Sequence, residues 1–213
     1  MGVCEGIAKT VKILCDALGI WCIIAISEAN PEKQIKYRHA WNVVRIGGKY
    51  YHLDATFDNS LCKSSQKLEQ VADMLSGKGK DQPLLRYDYY NLDDKHFFRD
   101  HEPVIWKVPA CVDGDHFYYK EKKLSFTKVE DVKKRSQQAI RKSKPLLFHW
   151  RGGYLTRDVL AELLDVMAEA AAEKGKYAKV SLNWPQAVLQ AAFTEEAPAE
   201  EFVTEEANEG EKL

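Results

Sequence analysis

His39-Ala40-Trp41-Asn42-Val43-Val44-Arg45-Ile46-Gly47-Gly48-Lys49-Tyr50-Tyr51-His52-Leu53-Asp54 reads as two strands about a two-residue loop. Both glycines tolerate positive φ, which the hairpin turns that match strand twist require. With Gly47-Gly48 as the loop, Ile46 faces Lys49, Val43 faces His52 and Trp41 faces Asp54. Side chains alternate between faces, so His39, Trp41, Val43, Tyr50, His52 and Asp54 share one. His39 and Asp54 become diagonal neighbours, roughly 7–8 Å apart at the backbone, a gap an imidazole and a carboxylate can bridge. A slip of one residue would separate them.

Upstream, Val3, Ile7, Val11, Leu14 and Leu18 recur at helical spacing, and Gly19 supplies a stop. Ala8, Val11 and Cys15 widen that stripe, which predicts a mostly buried helix. Cys4 stands at its start, where the positive end of the helix dipole favours a thiolate. His39 could take up the thiol proton, Asp54 could hold the other ring nitrogen, and the Cys4 backbone N–H is a natural oxyanion donor. Gly2 and Gly6 would let a substrate approach the backbone, and Trp41 and Tyr50 could wall a cleft. The bland alternative makes Cys4 a small capping residue, His39 a strand-edge residue, and Trp41 and Tyr50 core.

At 213 residues, with 45% hydrophobic and 30% charged residues, the composition is that of an ordinary globular protein. A formal net charge of −1 gives no reason to expect nucleic acid or an anionic membrane as partner. Five cysteines without a C-x-x-C pair make neither a disulfide framework nor a zinc knuckle, and Cys15, Cys22 and Cys111 sit among apolar residues as small hydrophobes. A reducing, cytoplasmic setting is expected. Because Cys4 has almost nothing before it, the expectation is also that an upstream part, with any targeting segment, is missing. No metal and no cofactor are expected, since His96, His101, Asp93, Asp94 and Asp100 match no zinc or EF-hand spacing.

Ile20 to Ile26 reads as a central strand, and residues 30–34 as a polar turn. Residues 60–83 read as a polar connector with a short helix carrying Leu68, Val71, Ala72 and Leu75, ended by Gly77 to Lys80. His52 reads as a packed or solvated strand histidine before an alternative base, and Asp58-Asn59 as a turn. Val104 to Val108 reads as a strand. Beyond it His116–Tyr119 and Leu124–Phe126 look strand-like, and Thr127 with Glu130 makes a capping box for a helix to about Ser143. Strand Leu146–Trp150, a helix from Thr156 to Lys174, strand Tyr177–Trp184 and a short helix over 185–193 complete a small α/β unit with parallel pairings. The basic residues Lys133 to Lys144 read as a solvated helix face. The expected domains are 1–110, 111–193 and a disordered acidic tail over 194–213.

Gly2-Val3-Cys4-Glu5-Gly6-Ile7-Ala8 resembles the nucleophile helix of the transglutaminase-like superfamily of papain-fold cysteine enzymes. His39 to Val44 resembles that family's histidine strand, and Leu53-Asp54-Ala55-Thr56-Phe57-Asp58 its aspartate strand, with Phe57 where many members have Trp. Tyr89-Tyr90-Asn91-Leu92 to Asp100-His101 resembles a segment that closes the core in bacterial members. The resemblance covers about residues 2–108. It implies an α+β fold: a transglutaminase-like core with its nucleophile helix packed on an antiparallel sheet, followed by the small α/β domain. It also implies a Cys4–His39–Asp54 triad doing acyl transfer through a thioester. Hydrolysis of a peptide or amide bond in a peptide or protein substrate is expected before transglutaminase-type crosslinking, because nothing visible would exclude water in favour of an amine. The alternative is a non-catalytic binding or scaffold module of the same fold.

Overall fold

A computed structural model of the chain describes residues 3–33, 38–63 and 85–196. The expected helix at Leu68 to Leu75, the Gly77–Lys80 segment, Gly2 and the acidic tail beyond Glu196 lie outside the described residues. The fold is α+β, and the described residues form helices and two four-stranded sheets.

Helix α1 (Val3–Ala17) ends as its glycine predicts. Gly19 adopts φ +69°, Ile20 N–H reaches the Cys15 carbonyl at 2.8 Å, and Gly19 N–H reaches that of Asp16 at 3.1 Å. This is the paired closure that a left-handed residue after a helix provides. Its burial differs from expectation: only Ala8 is fully buried, and Val3, Leu14 and Leu18 are 58–74% exposed. The side turned to the sheet carries Ala8 and Cys15, and the longer apolar residues flank it.

Strands β1 (Cys22–Ser27), β2 (His39–Ile46), β3 (Lys49–Leu53) and β4 (Tyr90–Leu92) form the first sheet in that order, each pair antiparallel. The hairpin has the expected register: Ile46 faces Lys49 and Val43 faces His52, about Gly47 and Gly48 at φ +57° and +86°. β1, expected to be central, is the first strand of the sheet. Its continuous apolar run reflects cover on both faces, which is independent of position in the strand order. One face carries Cys22, Val44 and Tyr51 with Cys15 of α1 against them. The other carries Ala25, Trp41 and Val43 in the main core, with Tyr89, Leu92, Phe97, Cys111, Phe117 and Tyr119.

Helix α2, described over residues 55–63, follows β3, and α3 (Asp94–Phe97) and α4 (Tyr118–Glu121) are single turns. The second sheet runs β5 (Ser125–Phe126), β6 (Leu146–Trp150), β8 (Val188–Thr194), β7 (Tyr177–Asn183). Of its pairings, β5 and β6 are parallel, as expected. Helices α5 (Val129–Arg141) and α6 (Arg157–Ala172) bring Ile140 against Ala170 and Ala171. Compactness divides the described residues into one unit drawn from 1–127, 147–155 and 181–189, and another drawn from 128–146, 156–180 and the residues from 190 on.

Four local expectations are corrected. Residues 185–193 are not a helix: Ala187 turns at φ +50° and β8 follows, buried from Val188 to Ala191, so pairing overrides the helix preference of Ala, Leu and Gln. β7 and β8, joined by four residues, can pair only as an antiparallel hairpin. His116–Tyr119 leads into a helical turn, and Val104 makes a single bridge to Ser27 in place of a strand. The N-cap of α5 is Lys128, with no side-chain cap, so the Thr127–Glu130 box does not form.

Candidate active site

Asp54 lies between β3 and α2 and caps the second of them. Its Oδ1 accepts the backbone N–H of Thr56 at 2.8 Å and of Phe57 at 3.1 Å, an N-cap for α2. That fixes the carboxylate plane, and Oδ2 is left to face two imidazoles. His39 Nε2 hydrogen-bonds to it, and His101 Nε2 lies 3.0 Å away. Asp54 is fully buried. Burial pushes its carboxyl up, but the hydrogen bonds from His101 and His39 outweigh burial and hold it at about 2. The pairing of His39 with Asp54 is the contact that the hairpin register anticipates.

The second histidine comes from elsewhere. His101 follows α3, and its Nδ1 hydrogen-bonds to Asp100 Oδ1 at 2.8 Å. Burial lowers the affinity of its ring for a proton, but the hydrogen bonds to Asp100 and Asp54 outweigh burial, with a net upward shift. Phe97 lies at 3.9 Å, Phe57 at 4.5 Å and Tyr89 at 5.2 Å between ring centroids, so the imidazole is walled by aromatics. His39 stacks on Trp41 at 5.9 Å and meets Phe57 edge-on at 5.1 Å.

Cys4 lies in the first turn of α1, partly buried. Asn42, on the opposite face of β2 from His39, donates through Nδ2 to the Ala8 carbonyl at 3.0 Å. Cys15 lies against Cys22 and Val44 farther along, so α1 runs beside β2 in the same direction. Cys4 precedes Ala8 by about 6 Å of helical rise, and His39 precedes Asn42 by about 10 Å of strand. Cys4 therefore stands at the His39 end of β2. Among the described residues no hydrogen bond joins Cys4 to His39, and none engages His39 Nδ1.

Of the expected cleft residues, Gly6 is exposed with open space around it. Trp41 is 1% exposed, and its indole donates to His52 Nδ1 at 3.0 Å, so it is a core residue and walls no open cleft. Tyr50 is half-buried against Trp21, ring centroids 5.2 Å apart. His52 is fully buried, and burial lowers its affinity for a proton. Asp58 is not in a turn: it sits within α2, buried, and accepts the Tyr89 N–H at 3.0 Å. Burial and the neighbouring Asp88 push its carboxyl well up.

Among the described residues, two triplets place possible metal-ligand atoms within 4.8 Å of one another: His39, Asp54 and His101, and His52, Asp94 and Cys111. In the second, the Trp41 indole is donor only, so His52 Nδ1 must accept and Nε2 carries the proton toward Asp94 Oδ1, 2.8 Å away. That nitrogen is committed as a donor, which is the wrong state for a ligand. In the first, the three atoms satisfy one another through hydrogen bonds.

In the sequence, His101 and Asp100 read as metal candidates and as part of a segment closing the core, and Asn42 only as part of the histidine strand, so neither the His101–Asp54 contact nor the Asn42–Ala8 contact is expected from it. No protein-family model matches the chain, and no curated protein matches it.

Proposed function

We propose that this chain performs cysteine-dependent acyl transfer, with Cys4 as nucleophile, His39 as its base and Asp54 as the group that orients His39. The reading takes residues 1–110 as a transglutaminase-like core and 111–193 as a smaller α/β domain. The observation that carries it is the bond between His39 Nε2 and the buried Asp54 carboxylate, which leaves Nδ1 as the working nitrogen at the end of β2 where Cys4 stands. In the reaction, Nδ1 takes the thiol proton as sulfur attacks the substrate carbonyl. The imidazolium then returns that proton to the departing amine, leaving a thioester on Cys4. Asp54 fixes the ring and stabilises its charged form, and the Cys4 N–H faces the developing oxyanion. Water is the expected acceptor, which makes the reaction hydrolysis of a peptide or amide bond.

The test is alkylation by iodoacetamide at pH 7 with the modified cysteine located by mass mapping. Cys4 should react ahead of Cys22 and Cys111, which are buried with their thiols pushed up to about 12. His39→Ala should slow Cys4 by about tenfold or more, within the usual contribution of a positioned base. One observation favours a second reading, a non-catalytic module of the same architecture: no hydrogen bond joins Cys4 to His39 among the described residues. A Cys4 alkylation rate indifferent to His39→Ala would select that reading.

A further inference from the structure

Both ring nitrogens of His101 face carboxylate oxygens, Asp100 Oδ1 at 2.8 Å and Asp54 Oδ2 at 3.0 Å. An ionised carboxylate can only accept, so each nitrogen must donate, and a ring that donates twice is an imidazolium. The far end of the chain is anchored as well. Asp100 Oδ2 accepts the Tyr89 hydroxyl, and the Gln186 amide lies 3.4 Å from Asp100 Oδ1. The result is one continuous series from Tyr89 through Asp100, His101 and Asp54 to His39, in which the two carboxylates alternate with the two imidazoles.

From this series we infer that His101 is a positioning residue for the proposed reaction, a fixed cation that pins Asp54 Oδ2 in the plane from which it orients His39. The inference rests on the acyl-transfer reading for its purpose, but not for its geometry. Asp54 alone could rotate about its side chain or share its lone pairs loosely. With Oδ1 held by two backbone N–H groups and Oδ2 by His101, the direction of the remaining lone pair is set before His39 engages it. The positive charge also lies between the fully buried Asp54 carboxylate and the partly buried Asp100 carboxylate and offsets one of the two. The groups facing His101 are Asp54, Asp100, His39 and Tyr89, with His52 beyond Phe97. No cation other than His101 joins the two carboxylates among the hydrogen bonds of the described residues.

The test uses the full chain and nitrogen-correlated NMR of the imidazoles. In the wild type at pH 7 both nitrogens of His101 should show the shifts of protonated nitrogens, and an unprotonated Nδ1 or Nε2 would overturn the inference without any variant. His101→Ala should abolish or broaden the hydrogen-bonded Nε2–H resonance of His39, and should slow Cys4 alkylation about tenfold through misplacement of the base. His101→Gln, which retains an N–H donor for Asp54, should restore part of both. Phe97→Leu, which loosens the wall around His101 at 3.9 Å, should leave the His39 resonance in place, because packing alone does not hold it. A His39 resonance unchanged in His101→Ala refutes the positioning role. If instead Cys4 reactivity ignores His39→Ala while the resonances behave as described, the acyl-transfer reading fails and the positioning of Asp54 stands.

Discussion

Replacing Asp54 by Asn separates the two duties of this carboxyl. The amide oxygen can still accept the Thr56 and Phe57 N–H groups, so the cap of α2 survives. The amide nitrogen, however, meets His39 Nε2 and His101 Nε2 as a donor facing donors. The native carboxyl is held at about 2 against an ordinary 3.8. That difference of nearly two pH units corresponds to about 2–3 kcal/mol of stability. Asp54 is fully buried, so solvent screening does not discount it. A depressed carboxyl stabilises above its unfolded value and loses that contribution as pH falls through its folded value. Asp54→Asn should therefore cost about 2–3 kcal/mol at pH 7 in urea unfolding, and about two-thirds of that difference should vanish by pH 2.5. Asp54→Ala should cost about 1 kcal/mol more at both pH values, from the lost cap. An Asp54→Asn penalty that is absent at pH 7, or that stays constant to pH 2.5, would refute the ion-network reasoning.

Asn42→Asp should be more disruptive than its size suggests, because it removes the donor to the Ala8 carbonyl and buries a charge beside it; a loss of about 3 kcal/mol is expected in chemical denaturation. Gly152→Ala should destabilise by about 1–3 kcal/mol. An added Cβ would lie 2.3 Å from the Trp150 ring and 2.7 Å from the Thr127 carbonyl, and thermal melting should show the drop. The raised imidazole of His101 contributes stability that is complete below the unfolded histidine value and is lost as pH rises through its folded value. The wild type should therefore lose stability on that alkaline side relative to His101→Gln, as urea midpoints collected across pH would show.

The hairpin was legible because Gly47-Gly48 allows only one tight turn, and the turn fixes which side chains oppose. The start and stop of α1 were legible for the same local reason: the apolar period and Gly19 act within one turn. Its burial was not. A period of 3.6 identifies an apolar stripe, but Val3, Leu14 and Leu18 form one stripe and Ala8 and Cys15 another, and only the sheet decides between them. The sequence of β8 reads as a helix because its Ala, Leu and Gln favour one in isolation, whereas its conformation is set by pairing. The role of His101 was hidden for a related reason: its partner, Asp54, lies 47 residues away and no local pattern links them. Asp58 likewise reads as a turn residue until Tyr89 arrives from 31 residues on.

The most direct measurement is to trap the acyl-enzyme. The chain is incubated with an activated ester, quenched in acid, and the acylated residue is located by peptide mass mapping. An acyl group should form and decay on the Cys4 sulfur in wild type and be sharply reduced in His39→Ala and in Asp54→Asn. Acylation that spares Cys4, or that forms on Cys4 equally fast in His39→Ala, would contradict the proposed triad.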